Sequence, residues 1–204
     1  MYQLKNTTHV TYDSNILIYY CFSTKNNKII ELTNKSKKLT EFLINQGSQI
    51  VVPKIIIDEI TRKGITTIVS EYISGNNITN MPRYPTILFR CELQVKIEKN
   101  FNKLQKKEWF NVKEYEPHEK IFDSIKIFFE ELINHPNLEK FLKLKKRDTS
   151  VPSKVDITLM AFSKENECPI ITNDYDLTFF ADELFEKGLT NRIYNFNDLD
   201  IYNN

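Results

Sequence analysis

At 204 residues, 41% of them hydrophobic, the chain is long enough to bury a core without covalent staples. Its 28 basic and 27 acidic residues leave a net charge of +1, which excludes a general polyanion-binding coat. Cys21, Cys91 and Cys168 are odd in number and widely spaced in apolar surroundings, which argues for reduced thiols and a cytoplasmic address, and no run approaches the roughly 20 apolar residues of a membrane span.

In chain order, His9 to Tyr12 reads as a short strand, followed by an apolar helix from Ile16 to Phe22 with Ser14 placed to cap it. Thr33 to Gln46 carries Leu39, Phe42 and Leu43 at helical spacing and stops at Gly47. Gln49 to Val52 is a buried-strand pattern, and Pro53 suits the first turn of a helix through Ile55, Ile56, Ile57 and Ile60. Between about residues 83 and 150 the character changes to charged, helix-favouring stretches, Leu88 to Lys107, Pro117 to Asn134 and Leu138 to Lys146, punctuated by prolines; this predicts a helical insertion. From Ser153 a helix carries Val155, Leu159 and Phe162, then a strand runs Pro169 to Thr172, a helix Leu177 to Lys187, and a last strand near Arg192 to Phe196. Alternating strands and helices predict an α/β fold: a central parallel sheet covered on both faces, in a single domain spanning 1–204.

Four acidic residues punctuate this pattern. Asp13 lies in VTYDSN, Glu59 in VVPKIIIDEI, Asp156 in SKVDITLMAF and Asp174 in IITNDYD, with Asp176 close behind. Each sits where a predicted strand ends or a predicted helix begins, and in parallel sheets ligands gather at the carboxyl ends of the strands. Taken singly, each has an ordinary structural explanation: a helix cap, a dipole partner, an exposed helix residue, a turn. Together, set among apolar runs, they predict one pocket whose carboxylates repel unless a cation is present. An all-oxygen donor set without a His/Cys cluster suits Mg²⁺ or Mn²⁺ and phosphodiester hydrolysis. His9, His118 and His135 share no zinc-ligand spacing. Trp109 and Phe110 read as core or interface aromatics more readily than as a base-stacking platform. The basic run Lys140, Lys143, Lys145, Lys146 and Arg147 offers either a solvated helix end or an RNA contact.

In YDSNILIY, VPKIIIDEI and KVDITLMAFSKENECPIITNDYDL the chain resembles the PIN-domain nucleases, including the VapC-like toxins of toxin–antitoxin pairs. The resemblance implies a three-layer α/β/α sandwich in which Asp13, Glu59, Asp156 and Asp174 are the catalytic, metal-binding set and Asp176 an additional acidic ligand. Ser14, Asn15, Thr172 and Asn173 would support the pocket. It implies a metal-dependent endoribonuclease acting on RNA, with an antitoxin protein as partner if the chain is a toxin. Alternatives are a tRNA- or rRNA-processing nuclease and a catalytically idle RNA- or protein-binding scaffold. The amphipathic helices of the insertion imply a homo-oligomer. The segment from about Asn77 to Ser153 has no counterpart in the compact toxins.

Overall fold

The computed structural model describes residues 4–21, 27–63, 85–145 and 149–199. The chain runs β1 (His9–Tyr12), α1 (Ser14–Cys21), α2 (Asn27–Asn45), β2 (Gln49–Pro53), α3 (Lys54–Lys63) and α4 (Pro85–Leu104). It continues with β3 (Phe110–Lys113), α5 (Glu119–Glu130), a 3₁₀ turn (Glu131–Asn134), α6 (Leu138–Lys145) and α7 (Lys154–Glu165). The last elements are β4 (Ile170–Thr172), α8 (Tyr175–Thr178), α9 (Ala181–Glu186), β5 (Ile193–Asn195) and a 3₁₀ turn (Phe196–Asp198).

The five strands form one sheet in the order β3-β2-β1-β4-β5, with every pairing parallel. Parallel strands need crossovers, so helices cover the sheet on both sides. The strands alternate accordingly: Ile50 and Val52 join the main apolar cluster, whereas Val51 packs with Phe162 and Cys168 in a second one. The expected α/β sandwich with a central parallel sheet is therefore present. Because the chain builds outward from β1 through β2 to β3 and then returns to β4 and β5, the strand order reverses direction between β1 and β4. The crevice outside the carboxyl ends of that pair is where such sheets bind ligands.

Three expectations need correction. The segment expected to be purely helical supplies β3, the outer strand beside β2. Only Phe110 of that strand is buried, so it lacks the apolar run by which inner strands are recognised. Pro53 closes β2, paired with Lys113, and the helix starts one residue later. Leu177 to Lys187 is not one helix; α8 and α9 are separated at Phe179 and Phe180. Gly47 and Gly188 both adopt positive φ, +83° and +68°, at helix ends, the backbone state that glycine reaches without a Cβ penalty.

The break at Phe179 and Phe180 has a physical cause. Phe180 is 1% exposed, and its ring meets Phe128, Phe129, His135, Phe141 and Phe179 at centroid distances of 6.2, 6.3, 5.2, 5.2 and 4.8 Å. Tilted and edge-to-face contacts of this kind add to the burial of large rings. They tie α5, the 3₁₀ turn and α6 to the segment following β4. His135 reinforces the junction through Glu183, 3.3 Å away. Trp109 packs edge-on to Tyr20 at 6.1 Å and Phe110 is buried, so this pair serves the core. Among the described residues no helix is long and apolar enough to cross a membrane. Cys21 and Cys168 are free and buried.

Replacing Phe180 with Ala removes the centre of this cluster. Urea denaturation followed by circular dichroism is expected to show a loss of about 3–5 kcal/mol. A loss below about 1 kcal/mol would mean that the surroundings close over the space and that the cluster does not anchor the inserted helices.

Candidate metal centre at the carboxyl ends of β1 and β4

Asp13 follows β1 directly and is 4% exposed. Its backbone carbonyl accepts from the N–H groups of Ile16 and Leu17, so Asp13, and not Ser14, stands in the capping position of α1. Four donors converge on its carboxylate. Oδ1 accepts from the Ser14 backbone N–H at 2.6 Å and the Ser14 hydroxyl at 3.3 Å. Oδ2 accepts from Asn15 Nδ2 and Thr172 Oγ1, both at 2.6 Å.

Thr172, the last residue of β4, joins the two acidic loops. Its hydroxyl donates to Asp13 and accepts both Asn15 Nδ2, at 3.1 Å, and the Asp174 backbone N–H, at 2.9 Å. The Asn173 N–H returns to Asn15 Oδ1 at 3.2 Å. Asp174 then caps α8 by accepting the Asp176 N–H at 2.8 Å. Ser14, Asn15, Thr172 and Asn173, expected to support the pocket, thus form a connected frame around Asp13 and Asp174.

Asp156 sits in the first turn of α7 and forms a reciprocal capping box with Ser153. Its Oδ2 accepts from the Ser153 hydroxyl at 2.7 Å and the Ser153 N–H at 3.1 Å, while its own N–H donates to Ser153 Oγ at 3.2 Å. Glu59 is half-buried on α3, and Asp176 is 1% exposed on α8.

These carboxylates feel one another. Burial pushes Asp13 up to about 6 against the lowering hydrogen bond from Thr172, and the negative charges of Asp174 and Glu59 raise it further. Withdrawal from water pushes Asp156 up to about 7; Asp13, Asp174 and Asp176 add to the rise, while the Ser153 hydrogen bond opposes it. Even four donors do not offset burial and repulsion at Asp13. A region withdrawn from water with excess negative charge and only oxygen donors fits a hard divalent cation in its chemistry. The spacing does not close around one: among the described residues no group of three or more His, Cys, Asp or Glu stands together in metal-holding geometry.

Two features of the site were missed in the sequence. Burial raises the Tyr19 hydroxyl, which is hydrogen-bonded with Asn173 and lies in the field of Asp13 and Asp174. Tyr19 is one helical i,i+4 step from Asn15, a spacing that could have flagged it. Asn197, in the turn after β5, accepts from Asn173 Nδ2 at 3.3 Å; nothing local in the sequence points to it. Of the basic run, Lys143 is exposed on α6 and Lys140 lies 5.9 Å from the Phe179 ring centre. The Lys145 side chain, Lys146 and Arg147 lie outside the described residues.

No family model and no curated protein matches the chain. Among solved structures, a chain in the crystal structure of VapBC2 from Rickettsia felis, bound to a DNA fragment from its promoter, is similar at 11% identity. The match covers 92% of this chain and 98% of that one, with a TM-score of 0.43.

The raised carboxyls give the stability a defined pH dependence. A carboxyl whose pKa is higher folded than unfolded contributes stability that is fully present below about pH 4 and is lost as pH rises through the folded value. For Asp13 and Asp156 the loss runs from about pH 4 through about 6 and 7. In EDTA the melting temperature is expected to fall across that window. The Asp13→Asn/Asp156→Asn double variant should flatten the fall. A native profile identical to that of the double variant would show that the two groups do not titrate as described.

Proposed function

We propose that this chain is a divalent-cation-dependent endoribonuclease of PIN-like fold. The observation that carries this reading is the convergence of Asp13 and Asp174 across the point where strand order reverses, joined by the Thr172 hydroxyl. Asp13 and Asp174 would hold Mg²⁺ or Mn²⁺, with Asp156, Glu59 and Asp176 completing the set. A cation there supplies the positive charge that polarises a phosphodiester and acidifies water. The protein's share is orientation. Thr172 and Asn15 fix the plane of the Asp13 carboxylate, and the capping box holds Oδ2 of Asp156. Because Asp13 and Asp156 are raised to about 6 and about 7, cation binding would release protons and tighten as pH rises through those values.

A second reading is a PIN-like module that binds RNA or protein without cleaving. Two observations favour it: no three-ligand group is gathered among the described residues, and Asp156 is engaged in its own helix cap. Without a cation, the arrangement sits closer to this reading than to a preassembled catalytic centre. Within the nuclease reading, growth arrest on expression and a partner antitoxin would mark a toxin, and their absence an RNA-processing enzyme.

Purified protein incubated with tRNA, rRNA and single-stranded RNA in Mn²⁺, Mg²⁺ or EDTA separates the two. Cleavage is expected only with the cation, and Asp13→Asn and Asp156→Asn are each expected to slow it by roughly 100-fold or more, about 2.7 kcal/mol of transition-state stabilisation. Tight RNA binding with no cleavage under any cation would overturn the nuclease in favour of the binding module. Cleavage undiminished in both variants would remove the acidic set from the chemistry.

A further inference from the structure

Parallel pairing of β4 with β5 sets Thr172 opposite Asn195, so the turn after β5, Phe196–Asp198, emerges beside the segment that carries Asp174. Asn195 starts this turn by accepting the Asn197 N–H at 2.9 Å. Phe196 is fully buried, and its ring meets that of Tyr19 on α1 at a centroid distance of 5.8 Å. From α2, Lys35 places its ammonium 5.1 Å from the centre of the Phe196 ring and donates to the Asn197 carbonyl at 2.8 Å. A cation over an aromatic face and a charge-assisted hydrogen bond are both stronger than their neutral counterparts, so the turn is clamped to two helices.

This clamped turn reaches the acidic site through Asn173. Asn173 Nδ2 donates to Asn197 Oδ1 at 3.3 Å, and the Asn173 side chain is hydrogen-bonded with the Tyr19 hydroxyl. The Asn173 backbone N–H donates to Asn15 Oδ1 at 3.2 Å. Asn173 is therefore held by two residues one turn apart on α1 and by the turn after β5. The next residue is Asp174, which Thr172 reaches through its backbone N–H. The contacts of Lys35 and Phe196 would tie the last turn to the core by themselves; the Asn197 amide is turned instead onto Asn173. Groups that orient the ligands of a divalent cation, without touching it, change its affinity by roughly 10- to 100-fold when removed.

We infer that Tyr19, Asn197 and Lys35 are positioning residues of the cation site proposed at Asp13 and Asp174. They hold Asn173, and through it they fix Asp174 relative to Asp13. The effect on cation affinity rests on that proposed site, whereas the effect on the loop rests on the hydrogen-bond chain alone.

Amide hydrogen exchange of the full chain in EDTA, followed by NMR, reads the loop with no cation or substrate present. Tyr19→Phe removes only a hydroxyl, and Lys35→Met removes the charge while keeping an unbranched stem. In each, the Asp174 and Asp176 N–H groups are expected to exchange roughly tenfold faster. The Ile50 N–H, bonded to the Trp109 carbonyl beside β2, should keep its native rate. Calorimetric titration with Mn²⁺ is expected to show roughly tenfold weaker binding in both variants. Lys35→Arg, which keeps a cationic donor, should restore both readouts. Unchanged exchange at Asp174 and Asp176 in both variants would overturn the inference, as would an acceleration shared equally by Ile50, which marks a general loss of stability. Faster loop exchange with unaltered Mn²⁺ affinity would also overturn it. A native chain that binds no Mn²⁺ but shows the faster exchange in its variants would remove the cation site and leave the brace on the loop standing.

Discussion

The hydroxyl of Thr172 is the point on which the candidate site depends. Parallel pairing of β1 with β4 sets Tyr12 opposite Ile171, so the residues that follow each strand emerge side by side. Thr172 then uses its single proton on Asp13 and its lone pairs on Asn15 and the Asp174 N–H. One side chain thereby fixes the orientation of two acidic loops separated by more than 150 positions in the chain. Each loop has its own capping bonds, and Thr172 joins the two.

That frame concentrates negative charge where water is scarce. Hydrogen bonds to a carboxylate favour its ionised form, and Asp13 receives four, yet burial and the fields of Asp174 and Glu59 prevail. The same balance holds at Asp156, where the capping box opposes burial and three neighbouring carboxylates. The fold therefore stores an unfavourable electrostatic arrangement at the mouth of its sheet, of the kind that clusters at functional positions.

The inserted helices are part of the architecture that holds this site. β3 extends the sheet beyond β2, and the Phe128, Phe129, Phe141, Phe179 and Phe180 cluster packs the insertion against the segment carrying Asp174 and Asp176. A tight aromatic junction makes that loop's position dependent on Phe128, Phe129 and Phe141, far earlier in the chain. The segment that carries Asp174 and Asp176 is in this way coupled to the inserted helices.

The sequence by itself determined the inner strands, since β2 and β4 carry short apolar runs buried on both faces and β1 is a short β-favouring run buried from Val10 to Tyr12, and such runs identify themselves locally. It also placed Asp13 at a strand end and Asp156 and Asp174 at helix starts, because capping and turn chemistry are local properties of a few residues, whereas Glu59 lies inside α3. Only the tertiary structure decided strand order, and with it the crevice between β1 and β4, because register between distant strands is not written in either one. The edge strand β3 was invisible because a single buried side chain makes no pattern. Tyr19 and Asn197 join the site through contacts made across the fold. The spacing of the carboxylates is set by packing of α3 on β2 and of α7 against α3, which no local motif specifies.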